Sequence, residues 1–166
     1  MNRRETDPFG IWFQPPRTAD FHSDRKDHHF SRGRRRDGLK SICEALADII
    51  GGEVVTAAPV CVVQRLRDID ARILGLRTQS PLALPFALSF EKNGLNLGES
   101  VILQKEANPL MTELRKRGLI VTALHNHWLF DDPQLMYMHW QNAGDDPFDF
   151  AEKSFDAARA AGLFRK

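Results

Sequence analysis

ALHNHWLFDDPQLMYMHW, residues 123–140, holds three of the chain's six histidines within 15 positions. Strand side chains alternate between faces, so His125 and His127 project to one side. Asp131-Asp132-Pro133 reads as a turn and LMYMHW as the returning strand. With a three-residue loop, Phe130 faces Gln134, His127 faces Tyr137 and His125 faces His139. Directly opposed Cβ atoms lie about 4.5–5.5 Å apart. The opposite face then carries Leu124, Trp128, Phe130, Met136, Met138 and Trp140, and is almost wholly apolar. A sheet is expected here, with its core on the tryptophan side and its histidines on the other.

Working outward, the segment before this hairpin is EANPLMTELRKRG. Asn108 suits the N-cap, Pro109 the first helical position, and Gly118 the stop after Arg115, Lys116 and Arg117. Behind the hairpin, Asp146 caps a closing helix with Pro147 at its first position and Phe148, Ala151, Phe155 and Ala158 along one face. Upstream, GLKSICEALADIIGG places Leu39, Ile42, Cys43, Leu46, Ile49 and Ile50 at helical spacing, and Gly51-Gly52 ends it. EVVTAAPVCVVQRL is β-branched and interrupted at Pro59, and DIDARILGLRT alternates as a further strand. LALPFALSFE and LNLGESVILQ flank Lys92-Asn93-Gly94, a hairpin signal. The order is α-β-β-β-β-α-β-β-α, an α+β class with a largely antiparallel sheet and about three helices.

Residues 1–37 differ from the rest. They carry Pro15-Pro16 and the basic run Arg25 to Arg36 without apolar periodicity, the composition of a disordered tail. Residues 38–166 are expected to form one domain. Across all 166 residues, 42% are hydrophobic and the formal net charge is +1, enough for one core and no general pull toward nucleic acid. Only weak nucleic-acid contact through the Arg-rich run is expected. Cys43 and Cys61 lie in apolar surroundings without a pairing motif and read as free, buried thiols of a reducing compartment. No secretory leader and no run of about 18 apolar residues is seen, so the expected location is cytoplasmic, without a membrane span. Nothing in the sequence excludes a homo-oligomer.

Neutral imidazole is a common ligand for transition metals, zinc first among them, and three protein ligands plus water is the pattern of a catalytic zinc site. His125, His127 and His139 are therefore the candidate metal ligands. Glu106 stands first as a further ligand or as the general base acting on bound water, ahead of Glu99 and Asp131. A metal-dependent hydrolase is the enzyme class this suits. The alternative is a non-enzymatic binding module for a small anionic ligand or a protein partner. For Glu106 the plainer role is an acid favoured by a helix N-terminus.

At this hairpin the sequence resembles the LppY/LpqO family, bacterial domains of unknown function. The resemblance rests on Glu106 with Asn108-Pro109, then RGLIVTALHNHWL, Pro133 and MYMHW, followed by the closing helix. It covers roughly residues 50 to 162, and SPLALPFALSFE fits the short single-copy members of spore-forming bacteria. It points to the same positions, Glu106, His125, His127 and His139, and implies no activity. Some relatives look like secreted lipoproteins with two copies of the domain. This chain carries neither a lipobox nor a second copy, and Gln141 to Asp145 replace the usual Gly-rich exit.

Overall fold

A computed structural model describes residues 42–164, so the basic run and the rest of the expected tail lie outside the described residues. Helix α1 covers residues 42–50 and buries Cys43, Leu46, Ala47 and Ile50. Its last carbonyls are satisfied by Gly51 and Gly52, whose N–H groups donate to Asp48 and Ala47. Gly51 has φ +61°, the left-handed turn that makes glycine the stop residue there.

The strands follow as β1 (Glu53–Thr56), β2 (Cys61–Leu66), β3 (Ala71–Ile73), β4 (Leu76–Thr78), β5 (Pro85–Phe90) and β6 (Leu95–Leu103). A 3-10 turn, Gln104–Glu106, leads into α2 (Ala107–Lys116), then β7 (Ile120–Asn126), β8 (Asp131–Asp132), β9 (Leu135–Ala143) and α3 (Pro147–Ala160). The class is α+β, and the coarse order of helices and strands is the one read from the sequence. DIDARILGLRT folds back on itself as β3 and β4 rather than forming one strand. Helix α2 begins at Ala107, so Asn108 lies inside it and does not cap it. Asp146 does cap α3, accepting from the Phe148 N–H at 2.8 Å.

Six strands pair in the order β1-β2-β5-β6-β9-β7, and three short ones in the order β4-β3-β8. Every pairing is antiparallel. One face of the large sheet is covered by the three helices. Val63, Phe86, Leu88, Ile102, Met138 and Trp140 there meet Leu46, Leu110, Leu114 and Phe150 in one core. The opposite face is covered only in part. Val101, Leu135 and Tyr137 pack with Ala71, Ala83 and Leu84 beneath the small sheet, with Trp128 against them. The rows beyond Val101 and Tyr137 are left more open.

Cys43 and Cys61 pair as a disulfide, with Cα atoms 5.9 Å apart. This corrects the expectation of two free thiols. The pairing joins α1 to β2 across the core, a juxtaposition that a spacing of 18 residues does not announce. The cysteine argument for a reducing compartment falls with it. Among the described residues no helix is long and apolar enough to cross a membrane.

Candidate functional site

The hairpin keeps the expected face but not the expected register. His125 lies opposite Tyr137, and Ala123 lies opposite His139. The cause is the turn. Asp131 and Asp132 pair with Ile73 and Arg72 of β3, so the connection from Asn126 to Leu135 takes in residues 127–134 rather than three residues. Lengthening the loop slides β7 by two residues, and a slip of two preserves the face.

His125 and His139 therefore stand diagonally across two strands, and their side chains close the gap. Their Nε2 atoms are 2.9 Å apart and the ring planes are within 9° of parallel, with centroids 5.1 Å apart, so the rings meet nitrogen to nitrogen. An oxygen acceptor lies beside the other nitrogen of each ring. His125 Nδ1 lies 3.0 Å from the carbonyl oxygen of Asn126. His139 Nδ1 lies 3.5 Å from Glu99 Oε2. The Asn126 carbonyl can only accept, so the His125 Nδ1–H donates to it and leaves His125 Nε2 as an acceptor; the 3.5 Å approach of Glu99 to His139 is longer than a hydrogen bond. A hydrogen on His139 Nε2 closes this contact as a hydrogen bond, and an ion between the two nitrogens would close it otherwise.

The spacing is that of a hydrogen bond, and it suits two ligands of one ion only at a right angle. With Zn–N bonds of about 2.05 Å, two ligands stand about 2.9 Å apart at a right angle and about 3.3 Å apart at the tetrahedral angle. A ligating histidine also commonly donates its second N–H to a carboxylate or backbone carbonyl, the two acceptors present here.

His127 does not join the pair. Its ring is 5.9 Å from that of His125, and it packs against Trp128 and Tyr137 at 4.7 and 4.5 Å. Among the described residues, no three His, Cys, Asp or Glu side chains are grouped to hold an ion. The expected convergence of three histidines is thus a convergence of two, with the third beside them. Residue 127 lies past the end of β7, where the long loop rather than the strand pleat sets its direction.

Glu106 is engaged elsewhere. Its carboxylate accepts from Arg67 at 2.7 and 3.0 Å and from the Leu103 N–H at 2.8 Å. Arg67 also donates to the carbonyls of Val101 and Leu163, and both side chains are buried. Burial opposes ionisation of Glu106, but the Arg67 hydrogen bonds, the Leu103 N–H and the charges of Arg67 and Lys105 outweigh it. The carboxyl is held below its ordinary range. The acid that meets the histidines is Glu99, directly opposite His139 on β6. Asp131 accepts from the Leu135 N–H at 2.7 Å and shapes the turn.

Tyr137 supports the site from below. Its hydroxyl accepts from Trp128 Nε1 at 2.7 Å and donates to the Ala83 carbonyl at 2.7 Å. Burial pushes the phenol up, the charges of Glu99 and Asp131 push it further, and the Trp128 bond opposes them. It stays protonated and rigid, a floor on which His125 stacks at 6.1 Å. Trp128 thus belongs to the histidine side, not to the helix-covered face where strict alternation put it.

The family described as Domain of Unknown Function (DUF1259) matches residues 44–160. The chain belongs to that family. Its match spans every element described above from within α1 to the end of α3, including the histidine pair, Glu99 and Glu106. No curated protein and no solved structure matches the chain. The family carries no described activity, so the chemistry rests on the geometry.

Proposed function

We propose that this domain binds one divalent transition metal ion, zinc the first candidate, between Nε2 of His125 and Nε2 of His139. The single observation that carries the reading is the pair of opposed Nε2 atoms at 2.9 Å, with an oxygen acceptor beside each ring's Nδ1. His127 is the third ligand after a rotation of its side chain, since it sits on an exposed loop end beside the pair. Glu99 takes the part first assigned to Glu106, orienting His139 and offering a proton acceptor at the rim. A bound ion would supply Lewis acidity and an activated water. Hydrolysis is the reaction class this suits, and the chain's own contribution is to position two imidazoles and to hold Glu99 beside them. The resemblance to the LppY/LpqO family belongs to the same proposal.

A second reading has one observation in its favour: only two of the three histidines meet. In it, the pair shares a proton and forms part of a binding surface without a metal. Elemental analysis and zinc titration of untagged protein separate the two. One equivalent of zinc in a chain with His22, His28 and His29 changed to Gln, lost in both His125→Ala and His139→Ala, is the expected result. Zinc binding that neither variant weakens would overturn the metal reading.

A further inference from the structure

The two edges of the large sheet are guarded differently. At one edge, β1 is four residues long, begins at Glu53 and is bulged between Val54 and Thr56. Shortness, charge and a bulge each keep a second strand off an edge. At the other edge, β7 is seven residues long, Ile120–Asn126, with no proline and no Lys, Arg, Asp or Glu. Among the described residues it pairs only with β9. Its register shifts between Val121 and Ala123, which leaves Ala123–Asn126 regular. Alternate residues of an edge strand turn their N–H and C=O groups outward, where an added strand can pair with them. Beside this edge lies a groove of about 630 Å³, lined by residues 118–124 and by Met111 and Arg115 of α2. Val121 and Leu124 lie opposite Trp140 and Met138, so they face the helix side, where Met111 packs on the core. Lys116 and Arg117 share Glu113, whereas Arg115 makes no ion pair among the described residues.

We infer that β7 is a docking edge for an extended segment of another protein, which adds antiparallel to it and sets an acidic residue against Arg115. The inference uses the outer edge of β7 and stands apart from the metal reading. An open strand edge beside a helix is an arrangement in which main-chain bonds supply affinity and side-chain pockets supply specificity. Here the apolar floor is Met111, Val121 and Leu124, so alternate apolar side chains of the added segment gain by covering it. The charge sets the direction. Arg115 precedes Gly118, whose N–H donates to its carbonyl, so its guanidinium lines the groove at the start of the strand. An antiparallel segment brings its C-terminal end to that start, and an acid there meets the uncompensated cation. A second copy of this chain fits less well, because β7 carries no acid to answer Arg115.

The test uses the full chain and a fluorescent peptide, Thr-Val-Thr-Val-Thr-Val-Asp with an amidated end, beside the same peptide ending in lysine. The aspartate peptide should bind the more tightly and slow amide hydrogen exchange across residues 120–126. Arg115→Glu, a change at the surface, should reverse the preference, by about fivefold for each peptide. N-methylation of the valine amides or of the threonine amides should abolish binding in one case and spare it in the other, since only alternate groups face β7. This arm needs no protein variant. If both methylated peptides bind as the parent does, strand addition is overturned. An unchanged preference in Arg115→Glu would overturn the assigned direction and charge. Failure of either peptide to bind at millimolar concentration would overturn the inference outright. Exchange protection of β7 that rises with protein concentration in the absence of peptide would give the edge to a second copy and overturn it as well.

Discussion

Glu106 carries two readings that separate at a single side chain. An acid just before a helix reads as a dipole partner or as a metal ligand, and neither requires knowing that Arg67 lies beside it, 39 residues away in sequence. The pairing is buried, and losing one member leaves the other charge without compensation. Glu106→Ala should therefore cost about 3 kcal/mol in urea unfolding. Its zinc stoichiometry should equal that of the native chain, since the carboxylate is committed to Arg67. A carboxyl held below its ordinary value of 4.5 contributes stability that is present above that value. That contribution is lost as pH falls through the lower folded value. Unfolding free energy measured downward from pH 5 should drop more steeply in the native chain than in Glu106→Gln. Equal slopes would mean that Glu106 titrates as it does in the unfolded chain. Glu99 presents the converse case: its role depends on being opposite His139, and that is a property of register rather than of neighbouring sequence.

Strand alternation in β7 and β9 made the histidine face legible, because a period of two survives any even slip. It could not place His139 against Ala123 rather than His125. That depends on β3 recruiting Asp131 and Asp132, a long-range pairing with no local signature. The same pairing moves Trp128 to the Tyr137 side, so the alternation rule fails where the strand ends and the loop begins. Two elements now test the packing this produces. At Gly98 of β6, opposite Trp140, an added Cβ would lie within the indole ring, which is itself fixed by a 2.9 Å bond from Nε1 to Ser154. Gly98→Ala should destabilise by about 1–3 kcal/mol and disturb the near-UV dichroism of Trp140. Tyr137→Phe removes an acceptor from Trp128 and a donor from the Ala83 carbonyl, for a cost of about 1–3 kcal/mol. Unchanged stability in that variant would show that water replaces both contacts. Its zinc affinity should also fall, because the stacked floor beneath His125 loosens.

At the scale of the whole molecule, the question is whether the histidine pair couples to folding. The pair bridges β7, the edge strand of the large sheet, and β9, its neighbour inside the sheet. An ion held there clamps an exposed strand to the core. A ligand that binds only the folded state stabilises it by about 2.7 kcal/mol when present at 100 times its dissociation constant. For a domain of this size that corresponds to a rise in Tm of roughly 5–10 °C. Any zinc bound by the unfolded chain lowers the figure, and His22, His28 and His29 can also bind zinc. The measurement is therefore made in a chain with those three changed to Gln, where the remaining histidines are the hairpin's own. Zinc should raise its Tm, EDTA should reverse the rise, and His139→Ala should abolish it. His127→Ala should give a smaller rise than the parent chain, since the pair alone still offers two nitrogens. If His127→Ala and the parent respond alike, the third histidine stays on Tyr137 and Trp128, and the ion is held by His125 and His139 with water.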